Sequence, residues 1–308
     1  MYFGSVRFYR HVILIVMALI VILSIGSCIY LGVSNHHLKE LIEENGLTVE
    51  ELENPGGVPV STTYDLLTQK ERMAQYYLNS FSYQDLYPEL YVENDYIFTE
   101  ETNKTVYLTF DDGPSQLTSR VLDILKTKDI KATFFVVYDD SPKAKALYKR
   151  MIDEGHTIGV HSTSHQYEEI YQSVETFLED FATTALMLEE VTGVKPEIFR
   201  FPGGSVNNYN KHVHQPIVAE MVRRGYTYYD WNVSSGDATN GSSRPKIYSN
   251  IIKNVKRFDR AIVLMHDASD KSDTIASLPL LVDELQDMGY TFKPLTQEVK
   301  PITFEYVN

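Results

Sequence analysis

The strongest constraint on the fold of this chain is a regular alternation of strand-like and helix-like segments that begins at Lys104. Between the strand-like runs, apolar residues recur at helical spacing, as in Gln116–Lys126, Val174–Glu190 and Ile275–Met288. The segments predicted as strands are, in chain order, TVYLTF, ATFFVV, TIGVHS, EIFRF, YTYYDWNV, AIVLMHD and YTFKPL.

Alternating strands and helices with short loops predict an α/β fold, in which helices cover a parallel sheet. About seven such units in roughly 200 residues predict a closed or nearly closed barrel, which we describe as a distorted (β/α)7-type barrel. Reactive groups in such barrels lie at the carboxyl ends of the strands. Polar residues that end different strands are therefore expected to meet at one mouth.

Composition excludes some classes of partner and site. The 308 residues carry a formal net charge of −14, which argues against nucleic acid as a partner, because phosphate binding needs clustered Lys and Arg. Cys28 is the one cysteine, so neither an intramolecular disulfide nor a metal site built from several thiolates can form.

An uncharged run from Val12 to Leu31 has the length that a bilayer core requires. Arg7 and Arg10 precede it, which predicts a cytoplasmic N-terminus and an extracellular remainder. We therefore predict a single-pass protein of the cell membrane, with a cytoplasmic tail over residues 1–11 and a lipid-contacting transmembrane helix over residues 12–33. A cleaved signal peptide ending near SIGSC, or a lipoprotein acylated at Cys28, are the alternatives.

The region between this segment and the regular pattern is predicted to be an extracytoplasmic stalk, residues 34–100. Residues 34–54 are rich in Glu and Leu, as in a spacer helix, and NPGGVPVS has the Pro and Gly content of a linker. The catalytic domain is predicted over residues 101–300.

Two motifs carry candidate metal ligands. TFDDG places Asp111 and Asp112 at the end of the first predicted strand, and HSTSH places His161 and His165 at the end of the third. Two imidazoles and one carboxylate are a familiar open zinc or iron set, and the second carboxylate could then serve as a base. Each motif alone is also compatible with an ordinary polar turn.

Three further motifs follow later strands. In RFPGGS, Arg200 needs a carboxylate partner if it is buried, and the glycines at 203 and 204 allow backbone N–H groups to approach an oxyanion. In LMHD, His266 is a candidate general acid. WNVSSGD supplies Trp231 and Asp237, which on their own are more typical of a core residue and a turn residue.

Together these motifs resemble the polysaccharide deacetylases of carbohydrate esterase family 4, from about Lys104 to Leu295. The resemblance implies that Asp111 is the catalytic base and that Arg200 pairs with it. The implied metal ligands are Asp112, His161 and His165. One divalent ion is implied, with zinc favoured and cobalt, iron or manganese as alternatives.

The resemblance also assigns the rest of the site. It implies that the Gly203 N–H stabilises the oxyanion, that His266 is the general acid and that Asp237 orients it. Trp231 would wall the pocket and Leu264 would line the acetyl site. Departures from the family pattern occur at Gly203, where an aromatic residue is frequent, and at Ser234 and Ala238, where Asp and Trp are frequent.

The activity implied is metal-dependent removal of N-acetyl groups, with release of acetate and a free amino sugar. A membrane-anchored, extracellular location points to N-acetylglucosamine residues of bacterial cell-wall peptidoglycan as the substrate. Alternatives are poly-N-acetylglucosamine, chitin oligomers or acetyl-xylan as substrates, or a glycan-binding homologue without catalysis.

Overall fold

The computed structural model describes residues 82–99 and 104–305. Within these ranges no helix combines the length and the apolar character needed to cross a membrane. The predicted transmembrane segment, residues 12–33, and most of the predicted stalk lie outside the described residues. Membrane anchoring therefore stays a prediction.

One parallel sheet of eight strands forms the centre of the described region. Seven of them follow the order β5-β4-β3-β2-β1-β7-β6, and β8 pairs with the first two residues of β1. The strands are β1 Thr105–Asp111, β2 Thr133–Val137, β3 Thr157–Ser162, β4 Ile198–Phe199, β5 Thr227–Tyr228, β6 Val233–Ser234, β7 Arg260–His266 and β8 Thr291–Phe292.

Helices follow most of the strands. They are α1 Thr118–Thr127, α2 Pro142–Asp153, α3 Tyr167–Ile170, α4 Val174–Thr192, α5 His214–Arg223, α6 Arg244–Val255 and α7 Ser272–Asp287, and a short 3₁₀ helix spans Ser82–Asp85. The longest, α4, is bounded by clear signals: Ser173 and Thr176 form a reciprocal capping box, and Gly193 ends the helix in the left-handed conformation.

The central strands are buried on both faces, which explains their continuous apolar sequence. All seven residues of β1 are buried. Tyr107, Phe135, Ile198, Tyr229 and Ile262 belong to one buried cluster contributed by different strands and by the segment after β5. Helices such as α1 add a second layer through one apolar face that includes Val121 and Leu125.

The sheet does not close into the barrel that the sequence predicted. YTYYDWNV, predicted as one strand, forms two short strands at opposite edges of the sheet, β5 and β6. The backbone between them leaves the ladder because the carbonyls of Tyr229 and Asp230 accept hydrogen bonds from the Arg200 guanidinium, at 2.9 and 3.2 Å. The result is a curled half-barrel. Its two edge strands, β5 and β6, are connected by the chain between them and do not pair with each other.

Residues that the sequence placed in the stalk belong to the compact unit, which spans Asp85–Asn308. The Val92 N–H donates to the Arg224 carbonyl, and the Asn94 side chain donates to the Gly225 carbonyl and to Thr227 Oγ1 of β5. These bonds attach the segment to the turn between α5 and the edge strand β5. The packed domain thus begins before residue 101.

Candidate active site

The carboxyl ends of the strands form the mouth of the half-barrel, and the motifs meet there as predicted. Asp111 ends β1, His266 ends β7, and the two residues are paired in register. His161 is the second-to-last residue of β3, and Arg200 directly follows β4. Residues up to 155 positions apart in the chain are brought together because all these strands run in one direction.

Asp112, His161 and His165 form a cluster suited to a metal ion. Asp112 Oδ1 lies 3.4 Å from His161 Nε2 and 3.2 Å from His165 Nε2. One ligand atom from each residue lies within 4.8 Å of the other two. Burial alone would raise the pKa of Asp112, but the two imidazoles lower it well below its usual value.

The backbone at Asp112 explains how two adjacent aspartates reach the same mouth. Neighbouring residues of a regular strand point to opposite faces. Asp112 leaves strand geometry with a φ of +69°, a left-handed conformation that aspartate tolerates better than most residues. Its carboxylate therefore reaches the histidines while Asp111 keeps its strand orientation.

Two observations show that this cluster fits a cation. Asp112 Oδ1 is buried and has no hydrogen-bond partner in the described structure, so a bound ion would satisfy it. His161 Nδ1 lies 2.9 Å from the Arg200 carbonyl, which can only accept. The proton of neutral His161 is thereby held on Nδ1, and the Nε2 lone pair faces Asp112, as metal ligation requires.

Asp111 and Arg200 form a buried ion pair beside the cluster. Arg200 Nη1 donates to Asp111 Oδ1 at 2.8 Å and to Thr109 Oγ1 at 2.6 Å. The Arg200 side chain is fully buried, and its guanidinium lies 4.3 Å from the centre of the Phe135 ring. Each of the two buried charges is thereby compensated by the other.

His266 and Asp237 form a second pair next to Asp111. Asp237 Oδ1 lies 2.8 Å from His266 Nδ1, and Asp237 Oδ2 accepts hydrogen bonds from the His266 N–H and from Thr274 Oγ1. Burial lowers the pKa of His266, but the bond to Asp237 and the charges of Asp111, Asp237 and Asp112 raise it to about 9. The His266 Nε2 atom is 4.0 Å from Asp112 Oδ2.

The remaining predicted residues border this arrangement. Gly203 has a φ of +76°, and its N–H donates to no other atom of the described residues. Trp231 is half-buried, with its ring 5.7 Å from the Arg200 guanidinium and 4.8 Å from the Phe304 ring. Leu264 lies two residues before His266 on β7, on the same face of the sheet.

Comparison with known proteins identifies similar sequences and similar structures. A peptidoglycan-N-acetylglucosamine deacetylase of Bacillus cereus is 31% identical over 198 residues, which are 63% of this chain and 87% of that protein. This chain belongs to the polysaccharide deacetylase family. The family model for polysaccharide deacetylase matches residues 99–227. The resemblance inferred from the motifs is thereby confirmed, and the chain is a hydrolase of this family.

Solved structures place the similarity in the described domain. The catalytic domain of a peptidoglycan N-acetylglucosamine deacetylase from Eubacterium rectale has a TM-score of 0.65 and 34% identity, and the match covers 70% of this chain and 98% of that one. A family 4 acetyl xylan esterase from Clostridium thermocellum, in complex with a cobalt ion, has a TM-score of 0.53 and 28% identity, covering 62% and 88%.

Asp180, which the motifs did not reveal, supports the loop between the candidate metal ligands His161 and His165. Its carboxylate accepts hydrogen bonds from Ser162 Oγ, from the Thr163 N–H and from the Ser164 N–H, at 2.6 to 2.9 Å. The loop between His161 and His165 is thus attached to α4. Asp180 is a half-buried acid on an amphipathic helix, a pattern that in sequence is typical of a solvated face.

Asp230 supports the loop that carries Gly203. Its Oδ1 accepts the Ser205 N–H at 2.8 Å, and its Oδ2 accepts the Ser205 hydroxyl at 2.5 Å and the Phe304 N–H at 2.7 Å. The sequence prediction placed Asp230 inside a strand, so this role was missed.

Asp267 was also missed. It is fully buried next to His266, with Thr118 Oγ1 donating to Oδ2 at 2.5 Å and Ser115 Oγ donating to the main-chain carbonyl at 2.5 Å. A Cβ atom at Gly113 would collide with this carboxyl group, so only glycine fits after Asp112. Burial, together with nearby acidic charge, raises the pKa of Asp267 to about 7.

Proposed function

We propose that this chain is a metal-dependent N-deacetylase that hydrolyses the acetamido group of N-acetylglucosamine residues in peptidoglycan. The observation that carries the proposal is the placement of two different groups beside one cation-binding cluster. One is the carboxylate of Asp111, paired with Arg200, and the other is the imidazole of His266, held by Asp237. Amide hydrolysis needs these two functions, a base for water and an acid for the leaving nitrogen.

Asp111 is the base in this proposal. Its Oδ1 accepts a hydrogen bond from Arg200, which orients the carboxylate, while Oδ2 accepts no hydrogen bond from the described residues. That oxygen is free to take a proton from the attacking water. Asp112, His161 and His165 would hold a divalent ion, zinc being favoured, that acts as a Lewis acid on the water and the acetyl carbonyl.

His266 is the acid. Asp237 holds its Nδ1, so that Nε2 carries the transferable proton toward the cluster. When the C–N bond breaks, this proton passes to the amine nitrogen, and acetate and the amino sugar are released. The free N–H of Gly203 is suited to the negative charge that develops on the carbonyl oxygen. Water and amide are consumed in equal number, and no other reactant is needed.

The cell wall as the place of action follows from the predicted anchor at residues 12–33. An extracellular domain on a membrane tether reaches peptidoglycan rather than intracellular glycans. The Bacillus cereus and Eubacterium rectale relatives, both named as peptidoglycan N-acetylglucosamine deacetylases, support this substrate. The acetyl xylan esterase from Clostridium thermocellum makes acetyl-xylan the comparison substrate.

Acetate release by the purified full chain from peptidoglycan, chitin oligomers and acetyl-xylan tests the proposal, with and without chelator and added zinc. Asp111→Asn is the matched inactive control. We expect chelator-sensitive, zinc-restored release from peptidoglycan. Release from chitin oligomers or acetyl-xylan only would keep the chemistry and discard the cell-wall substrate. Metal binding without release from any of the three would favour the glycan-binding alternative.

A further inference from the structure

The space beside Gly203 is filled by an aromatic ring from a different loop. A Cβ atom built on Gly203 would lie 3.3 Å from Tyr167 Cζ and 3.4 Å from Tyr167 Cε2. The φ of +76° at Gly203 also disfavours any side chain at that position. The ring that borders the candidate oxyanion group is therefore supplied by Tyr167, the first residue of α3.

Tyr167 links the metal-ligand loop to the outer rim of the mouth. Its ring centroid lies 5.2 Å from that of His165 and 5.3 Å from that of Tyr209. Tyr167 is half-buried, and Tyr209 is 45% exposed, which is unusual for a large aromatic residue. The two rings meet at 61°, so they form a bent, partly exposed wall rather than part of the core.

The hydroxyl group of Tyr167 has no protein partner in the described structure. Its neighbour Tyr171 offers a contrast, because the Tyr171 hydroxyl donates to the Pro202 carbonyl at 2.8 Å and is buried. A phenol keeps its proton at neutral pH and is a hydrogen-bond donor. Tyr167 thus presents an unused donor and an apolar ring face next to the proposed reaction centre.

We propose that Tyr167 and Tyr209 form the saccharide-binding wall of this site. The ring faces pack against the apolar face of the sugar that carries the acetamido group, and Tyr167 Oη donates a hydrogen bond to an oxygen of that sugar. Ligand sites commonly combine aromatic surfaces with a few oriented polar groups in this way. The inference rests on the proposed function for the identity of the sugar.

Calorimetry of chitin pentamer binding to the zinc-loaded full chain tests this wall. The chain carries Asp111→Asn, so that the pentamer is bound but not hydrolysed. Adding Tyr167→Phe removes one hydrogen bond, so we expect affinity to fall about threefold to tenfold. Adding Tyr167→Ala also removes the ring, and a fall of more than about tenfold is expected. Tyr209→Ala should weaken binding about threefold or more. Tyr248→Phe, on the outer helix α6, is the matched control and should change nothing.

Tyr167 could affect binding by contacting the sugar or by supporting His165. The zinc affinity of the same variants distinguishes these two roles. We expect Tyr167→Phe and Tyr167→Ala to bind zinc as the parent does. A tenfold loss of zinc affinity, pentamer binding that is unchanged in Tyr167→Ala, or no pentamer binding by the background variant would each overturn the proposal. Pentamer binding that depends on Tyr167, combined with no acetate release by the chain that keeps Asp111, would uphold the wall and reject the deacetylase assignment.

Discussion

Asp111 and His266 occupy the same register position on the neighbouring parallel strands β1 and β7. Residues paired in this way present their side chains on the same face of the sheet, so base and acid are fixed relative to each other by backbone hydrogen bonds. Each is then oriented by a partner from another element, Arg200 for Asp111 and Asp237 for His266.

Replacing Asp111 by Asn should abolish turnover and leave metal binding intact. The amide keeps the size of the carboxylate and can still accept from Arg200, but it cannot take a proton from water. We expect kcat to fall by about 10³ or more, with an unchanged zinc Kd because Asp111 is not part of the ligand cluster. Steady-state acetate release and zinc titration measure the two effects. A variant with near-normal kcat would remove Asp111 from the mechanism.

Replacing Asp237 by Asn should lower kcat by about 10² or more through His266. The amide cannot stabilise the imidazolium, and it can direct its own N–H toward Nδ1, which would move the proton of neutral His266 to the wrong nitrogen. Thr274→Val removes the other side-chain donor to Asp237 and serves as the milder control. Equal kcat values for Asp237→Asn and Thr274→Val would contradict an acid role for the His266–Asp237 pair.

Replacing Asp180 by Ala should weaken metal binding although Asp180 touches no ligand atom. Three donors of the loop between His161 and His165 would lose their shared acceptor. We expect zinc affinity to fall about 10-fold to 100-fold and the free energy of unfolding to fall by about 1–3 kcal/mol. Zinc titration and urea unfolding measure these changes. Glu179→Ala, exposed on the same helix, is the control, and equal behaviour of the two variants would refute the loop-support role.

His156 should make the fold sensitive to acid. It is 5% exposed, and its Nδ1 accepts the Ala132 N–H at 3.1 Å, which requires the neutral ring. Burial, with a smaller effect of Lys131, lowers the pKa of His156 to about 4. His156 in the unfolded chain takes up a proton near pH 6.5, whereas in the folded chain it does so only near pH 4. Its contribution to the free energy of unfolding is therefore complete above pH 6.5 and is lost as the pH falls toward 4. The loss amounts to about 3 kcal/mol.

Urea unfolding between pH 8 and pH 4.5 measures this contribution. The His156→Gln variant is the reference, because it removes the titrating group while carboxylates elsewhere titrate as before. We expect a steeper loss of stability for the parent chain than for the variant below pH 6.5. Parallel curves would show that His156 is not held neutral in the fold.

Much of the site was predictable because its chemistry is carried by short motifs at strand ends. The DD pair, the HSTSH loop, Arg200 and His266 each lie at or just after the end of a strand whose apolar run is visible in sequence. Parallel strands bring their carboxyl ends to one edge, so the meeting of these residues follows from the alternating pattern alone. The structure places them together as expected.

Other features were hidden because they depend on partners far along the chain. YTYYDWNV has the composition of one strand, yet Arg200, about 30 residues earlier, takes the carbonyls that would have continued the ladder. Asp180, Asp230 and Asp267 look like ordinary acids in sequence. Their roles follow from the hydrogen-bond donors that surround them in the folded chain. The local spacing of apolar and polar residues does not predict those donors.

The fold class, the placement of the motifs at strand ends and the residue types that do the chemistry could be predicted from the sequence, because burial patterns and strand ends are local properties. Three features required the tertiary structure: the half-barrel stays open, Asp112 leaves strand geometry directly after Asp111, and the Tyr167 ring fills the space beside Gly203. Such outcomes depend on which distant groups compete for the same hydrogen bonds and the same volume, and that competition exists only in the packed chain.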